Sequence, residues 1–116
     1  MDNAVKEKSF CFSIRIVRLC KYLRDNKRET ILSKQLLRCG TSIGANIAES
    51  QFAQSKPDFT SKLNIALKEA SETDYWLRLL FETDYLNQRQ FDSIIKDCRE
   101  LESLLVSIVK TTKNNF

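Results

Sequence analysis

The sequence contains no histidine, only two glycines and only one proline among its 116 residues. Without histidine the chain lacks the commonest general base and metal ligand of proteins, which argues against an enzyme. So few glycines and prolines argue against a β-rich or disordered chain. No apolar run approaches the roughly 18 residues of a membrane span, and the first ten residues, MDNAVKEKSF, lack the apolar stretch expected of a signal peptide. We therefore expect a cytoplasmic, non-enzymatic protein with no cofactor and no membrane association.

Four cysteines are present, but they are widely spaced and form no CxxC pair. They are Cys11, Cys20, Cys39 and Cys98. Because histidine is absent as well, the sequence offers no zinc site. We expect reduced thiols that pack as small apolar residues.

Apolar residues recur at steps of three and four in four segments, which predicts helices over about residues 4–25, 31–52, 56–83 and 88–112. The first stripe is Phe12, Ile16, Leu19 and Leu23. The expected N-caps of the second, third and fourth helices are Thr30, Ser55 and Asn87. Near-heptad stripes on four helices joined by short connections predict one all-α domain over residues 1–116, an antiparallel up-and-down four-helix bundle.

Two helices carry more apolar residues than one bundle core requires. These extra residues lie beside or opposite the main stripes: Phe10, Ile14 and Val17 on the first helix, and Ile65, Trp76 and Leu79 on the third. Scattered exposed apolar residues are ordinary, but rows on outward faces favour contact with another subunit. The sequence thus predicts a homo-oligomer.

Both glycines lie inside the second predicted helix, where each costs roughly 1 kcal/mol relative to alanine. Gly40, Gly44 and Ala48 stack one turn apart and form a smooth groove. Such a groove lets a neighbouring helix approach closely, and the added dispersion contacts offset the cost. A phosphate-binding loop would instead need its glycines before a helix N-terminus.

Three carboxylates lie on or near apolar helix faces: Glu49, Glu69 and Glu72. Inward-facing carboxylates of four-helix bundles bind iron pairs in some proteins, with histidine as a further ligand. Since this chain has no histidine and no second helix with a matching pair, we expect no metal. The carboxylates are expected to accept hydrogen bonds or to pair with arginine or lysine, partly across subunits. The candidate partners are Arg38, Lys68 and Arg78.

The net charge of +4 is concentrated near the N-terminus, because residues 1–30 hold eight Lys/Arg against four Asp/Glu. Arg18, Lys21, Arg24 and Arg28 fall within an arc of roughly a third of a turn, with only Asp25 nearby. A run of charge is often no more than a solvated helix face. The alternative is a surface that reads nucleic-acid phosphates, whose affinity falls as salt rises.

Residues 35–80, QLLRCGTSIGANIAESQFAQSKPDFTSKLNIALKEASETDYWLRLL, resemble the central block of the 23S rRNA intervening-sequence protein family. The resemblance is carried by SIGANIAE (42–49), DF (58–59), IALKEA (65–70) and ET-YWL (72–77). It implies a four-helix bundle that assembles as a homopentamer, often with a central channel. Similar proteins include accessory proteins of diversity-generating retroelements, which partner a reverse transcriptase and have a basic surface for nucleic acid. The resemblance implies no catalytic residue.

The sequence therefore predicts an oligomeric, non-enzymatic protein that binds RNA or DNA, with structured RNA favoured, or a nucleoprotein partner. The basic arc on the first helix would make the phosphate contacts. The alternative is a scaffold or adaptor that recognises another protein and binds no nucleic acid.

Overall fold

The computed structural model describes residues 3–114, and within them four α-helices and no strand are present. They are α1 (Asn3–Asn26), α2 (Leu32–Ser50), α3 (Lys56–Glu82) and α4 (Gln88–Asn114). Each predicted boundary lies within two residues of the observed one. The all-α, four-helix prediction is confirmed.

The helices form an elongated bundle measuring 46 × 21 × 20 Å. Helix α1 packs against α2 and α4, and α3 packs against the same two helices. Since a helix of 27 residues is about 40 Å long, α3 and α4 each extend along most of the bundle. No helix within residues 3–114 is both long enough and apolar enough to cross a membrane.

One side of each helix supplies the core. On α1 the predicted stripe is largely correct: Phe12, Ile16 and Leu23 are buried. Leu19 is only half-buried, and Cys20 takes its place in the core. The other three helices contribute the remaining large, fully buried apolar side chains, which are Leu36, Ile43, Ile47, Leu63, Leu77, Leu80, Leu101 and Leu105.

The cysteines are all free thiols, and three of them pack as expected. Cys20, Cys39 and Cys98 are buried, whereas Cys11 is exposed, so the expectation fails for that residue. Burial raises the pKa of Cys39 to about 11 and the pKa of Cys20 to about 12. Both side chains are therefore neutral thiols near pH 7.

Two of the three predicted N-caps are confirmed. The Ser55 hydroxyl accepts a hydrogen bond from the backbone N–H of Asp58 at 3.1 Å, and the Asn87 side chain accepts one from the backbone N–H of Gln90 at 2.8 Å. The prediction of Thr30 as the cap of α2 is wrong. Its neighbour Glu29 performs that role from inside the protein.

The Glu29 carboxylate is bound by three successive backbone N–H groups at the start of α2. They belong to Ile31 at 3.1 Å, Leu32 at 2.9 Å and Ser33 at 2.8 Å. Glu29 is only 6% exposed, and a negative charge at this position also complements the positive end of the helix dipole. A longer side chain one residue earlier thus replaces the short cap that the sequence pattern suggested.

Candidate nucleic-acid interface

Three of the four residues in the predicted basic arc lie on α1, and the fourth does not. Arg18, Lys21 and Arg24 are exposed on the C-terminal half of the helix. Helix α1 ends at Asn26, and Arg28 adopts a left-handed backbone conformation with φ of 58°. A single helical arc containing all four residues is therefore wrong, because the chain leaves the helix before Arg28.

The basic residues at this end of α1 are largely free of acidic partners. Arg24 pairs with Asp25, with its Nε 2.9 Å from Oδ1. Within the described part of the chain, no carboxylate forms an ion pair with Arg18, Lys21 or Arg28. The pKa of Asp25 is lowered, chiefly by the hydrogen bond from Arg24, and Lys21 and Arg28 add to the effect. The Asp25 carboxylate is thus surrounded by three cations, Lys21, Arg24 and Arg28, and the group carries a net positive charge.

Two of the predicted basic residues, Arg18 and Arg24, line two different grooves. Arg18 lines a groove of about 450 Å³ between α1 and α4, together with Arg15 and Arg89. Arg24 lines a smaller groove of about 180 Å³ between α1 and α2, together with Lys34. Sequence reasoning missed Arg15, Arg89 and Lys34, since only the pairing of helices brings residues so distant in the chain to one place.

Helices α1 and α2 are in close contact at the two glycines. A Cβ atom added to Gly40 would lie 2.9 Å from Cγ1 and Cγ2 of Ile16. At Gly44 the added atom would lie 3.0 Å from the Ser13 hydroxyl and 3.2 Å from the Ser9 carbonyl oxygen. The small α1 residues that face Gly44 were not part of the sequence prediction, although Ser9 and Ser13 are also spaced by four.

Ala48, the third residue of the predicted small-residue groove, lies on α2 with an exposed side chain. Gly40 is buried and Gly44 half-buried. The close contact with α1 is thus made at the two glycines.

Two of the three motif carboxylates meet a single arginine. Arg38 on α2 forms ion pairs with Glu69, at 3.4 Å, and with Glu72, both on α3. Glu72 also accepts a hydrogen bond of 2.9 Å from the indole nitrogen of Trp76. Glu49 is exposed at the end of α2. Arg38 therefore joins α2 to α3 and offsets part of the negative charge of the Glu69 and Glu72 carboxylates.

A different cluster, which the sequence did not reveal, lies between α3 and α4. Potential metal ligands of Asp74, Cys98 and Glu102 lie within 4.8 Å of one another. Asp74 is 9% exposed, and its carboxylate is bound by Arg78 at 2.9 Å and by Arg99 at 3.1 Å. Burial raises the pKa of the Cys98 thiol well above its usual value. With two guanidinium groups on Asp74 and a neutral thiol, the cluster does not fit a cation.

The two carboxyl groups of this cluster have opposite pKa shifts. Burial, followed by the neighbouring Asp74, raises the pKa of Glu102 to about 7. Burial acts to raise the pKa of Asp74 too, but hydrogen bonds from Arg99, Glu102 and Arg78 outweigh it and hold that pKa below its usual value. Glu102 is therefore the member of the pair that holds a proton.

The apolar residues predicted to face another subunit are exposed on α1 but less so on α3. Phe10 is 67% exposed, Val17 39% and Ile14 37%. On α3, Ile65 is 39% exposed. The other two α3 residues, Trp76 and Leu79, are half-buried, and Trp76 packs against the core. The α1 row thus leaves the larger uncovered apolar surface.

Comparison with known proteins identifies relatives by sequence and by structure. The family model described as 23S rRNA-intervening sequence protein matches residues 1–107, which confirms the resemblance seen in residues 35–80. A crystal structure of a protein of unknown function from the S23 ribosomal protein family of Bacteroides thetaiotaomicron VPI-5482, at 1.70 Å resolution, is 56% identical. The match has a TM-score of 0.90 and covers 91% of this chain and 98% of that one. No curated protein matches the chain.

Proposed function

This chain belongs to the 23S rRNA-intervening sequence protein family, and we propose that it is a non-enzymatic, cytoplasmic protein that binds structured RNA through basic side chains at the C-terminal end of α1. The family's description names an intervening sequence of 23S rRNA and no chemical reaction. The proposal therefore depends on the surface of the chain itself.

The observation that carries the proposal is the set of exposed basic residues without acidic partners. Arg18, Lys21 and Arg28 form no ion pair within the described residues, and Asp25 is the one carboxylate that Arg24 engages. Basic side chains that are not neutralised by the protein attract phosphates and release the counterions bound to them. The resulting affinity is largely independent of sequence, as expected for recognition of RNA by its shape and backbone.

We further propose that successive helices run antiparallel and that five chains assemble into a ring. Two features support the antiparallel arrangement. Each connection spans only five residues (27–31, 51–55 and 83–87), which favours antiparallel neighbours. The contacts between α1 and α4 also indicate opposite helix directions. Lys8 contacts Glu100, whereas Arg15, which is later on α1, contacts Ser93, which is earlier on α4.

The exposed row of Phe10, Ile14 and Val17 supports assembly, because burial of apolar surface drives most subunit association. The family resemblance is the basis for choosing five chains. A ring would repeat the basic surface in every subunit. Several weak sites on one particle bind a polymer far more tightly than one site does.

The first test is the mass and nucleic-acid content of the purified protein. Size exclusion with light scattering, with absorbance read at 260 and 280 nm, should show a ring that carries nuclease-sensitive material. A clean ring that binds no RNA hairpin after nuclease treatment would contradict RNA binding, and a monomer would contradict the assembly.

The second test is the reversal of charge at two residues of the basic surface. For the double variant Arg18→Glu with Arg24→Glu, the affinity for a labelled hairpin should be lost while the helical circular dichroism signal stays. Lys68→Glu with Lys110→Glu is the matched control, because it makes the same change in charge at exposed positions on α3 and α4. Equal affinity of the two double variants would contradict the assignment of the basic surface.

A second candidate function is that of a protein-binding adaptor, and one residue favours it. Phe52 lies between α2 and α3 with 86% of its surface exposed, the largest value among the exposed large apolar residues that the structure describes. Exposed aromatic residues are common anchors of protein interfaces. Binding through Phe52 would persist at high salt and be lost in Phe52→Ser, whereas RNA binding would show the opposite behaviour.

A further inference from the structure

We infer that the groove lined by Arg15, Arg18 and Arg89 is a binding site for a phosphate group of a nucleic-acid backbone. The inference rests on the proposed RNA-binding function and deepens it in two respects. It moves the principal phosphate contact from the outer face of α1 to the junction of α1 with α4, and it adds Arg89, which the sequence pattern did not identify.

Arg15 fixes one wall of the groove. Its guanidinium group reaches from α1 to α4, where it pairs with Asp97 and donates hydrogen bonds to the carbonyl oxygen of Ser93 at 3.2 Å and to the Ser93 hydroxyl at 2.8 Å. These contacts hold the Arg15 guanidinium at the junction and neutralise the Asp97 carboxylate. Arg15 therefore acts as a positioning residue for the groove.

Because Arg15 is paired with Asp97, the net positive charge of the groove comes from Arg18 and Arg89. Both are exposed, and neither side chain forms an ion pair or hydrogen bond with any described residue. No carboxylate is among the residues that line the groove. Two guanidinium groups on facing helices, with no acid between them, leave a concentrated positive charge. Guanidinium groups bind phosphate oxygens through paired N–H donors.

The polar groups of the groove are mainly donors, which selects the class of ligand. The Gln90 side-chain oxygen accepts a hydrogen bond from the Asn87 backbone N–H at 2.9 Å, so that its NH₂ group remains to donate. The Ser93 hydroxyl oxygen already accepts from Arg15. Arginine has no acceptor at all. A ligand that fits must be anionic and rich in acceptors, as a phosphate group is, whereas a base edge needs both donors and acceptors.

The lining of the groove strengthens these interactions. Leu19 and Ile94 contribute aliphatic surface among the basic side chains. A cleft of one sign of charge with apolar walls focuses the electric field and raises the local concentration of the opposite charge. The volume of about 450 Å³ falls within the range of small-molecule sites, which is larger than one phosphate and leaves room for the adjoining sugars.

The test compares binding of a labelled RNA hairpin to three proteins at several salt concentrations, by fluorescence anisotropy. The variant Arg18→Gln with Arg89→Gln removes the two free guanidinium groups. Lys68→Gln with Lys110→Gln removes the same charge at exposed positions outside the groove. For the arginine variant we expect the Kd to rise about tenfold and the slope of log affinity against log salt to fall by about 1. For the lysine variant we expect a change of less than about twofold.

The possible outcomes distinguish a failure of the groove assignment from a failure of the proposed RNA binding. If the wild-type protein binds the hairpin and both double variants bind it equally, the groove assignment is overturned while RNA binding stands. If the wild-type protein does not bind the hairpin, the proposed function fails and the groove assignment fails with it. A drop confined to the arginine variant, with unchanged circular dichroism and mass, supports the site.

A second arm distinguishes a backbone phosphate from free phosphate. The Nε–H signals of Arg18 and Arg89 in the intact protein are followed by NMR during titration with the hairpin and, separately, with inorganic phosphate. Shifts with the hairpin at concentrations where inorganic phosphate has no effect support the assignment. Saturation by inorganic phosphate at those same concentrations overturns it in favour of a site for a free anion.

Discussion

Glu102 on α4 and Asp74 on α3 place their carboxyl groups against each other in the interface between the two helices. Arg78 and Arg99 hold Asp74 in its charged form, and burial keeps Glu102 protonated until the pH rises to its pKa of about 7. Cys98, the third member of the cluster, is a neutral thiol whose Sγ lies 3.5 Å from Glu102 Oε1. Two carboxyl groups in such a position share one proton instead of both ionising.

This pair predicts a decline in stability as the pH rises toward neutrality. The pKa of Glu102 is raised from its usual value of 4.5 to about 7 in the folded chain. Protonated Glu102 therefore makes its full contribution to the free energy of unfolding below about pH 4.5, and this contribution is lost as the pH rises through about 7. Asp74 has the opposite shift, so its contribution is lost only at more acidic pH. The free energy of unfolding, measured with urea at several pH values, should fall across this window.

Glu102→Gln, which mimics the protonated form, should reduce that dependence. At about pH 8 the variant should be more stable than the wild type by about 1–2 kcal/mol, a value reduced for partial solvent screening. At about pH 5 the two should be nearly equal. Glu49→Gln removes a carboxylate from an exposed position and serves as the control. If the pH dependence of the two variants is the same, the Glu102 proton is not its source.

The cap at the start of α2 predicts a contrast between two adjacent residues. Glu29→Ala removes the acceptor of three backbone N–H groups in a buried position and should destabilise the protein by about 2 kcal/mol or more. Thr30→Ala should cost less than about 0.5 kcal/mol, because Thr30 is exposed and does not cap the helix. Urea unfolding of both variants gives the comparison. Equal losses would contradict the assignment of the cap to Glu29.

The fold could be predicted because helix periodicity is a local property of the chain. Steps of three and four located all four helices, and short polar residues located the caps at Ser55 and Asn87. The features that escaped prediction depend on geometry that no pattern contains. Glu29 caps α2 only because the loop turns back, with Arg28 in the left-handed region.

The candidate sites escaped prediction for a related reason. Arg89 is 71 positions away from Arg18 in the sequence, and Asp74 is 28 positions from Glu102. Each pair is brought together by the packing of α4 against a different neighbour. Helix wheels show which residues share a face of one helix, but they do not show which faces of two helices meet.

The close contact between α1 and α2 predicts that the effect of Gly40→Ala on stability changes sign when Ile16 is replaced by alanine. Gly40→Ala should destabilise the protein by about 1–2 kcal/mol, because the added Cβ would lie 2.9 Å from two carbons of Ile16. In an Ile16→Ala background the same substitution should stabilise by up to about 1 kcal/mol, since alanine is the better helix former and the obstruction is gone. Unfolding is measured at one fixed protein concentration. A Gly40→Ala variant at least as stable as the wild type would refute close packing as the reason for the glycine.

The exposed apolar row on α1 predicts that carboxylates introduced there prevent the subunits from assembling. Phe10→Asp with Val17→Asp places two carboxylates on a surface that a neighbouring subunit would cover, and unpaired buried charges are costly. The mass measured by light scattering should fall toward the 13.5 kDa of one chain, with helical circular dichroism retained because both residues lie outside the core. Phe52→Asp is the control, since this residue is equally apolar and still more exposed but lies in a loop away from the row. If the mass of the α1 variant equals that of the control, subunits associate through another surface, and the half-buried side of α3 that holds Trp76 and Leu79 becomes the next to test.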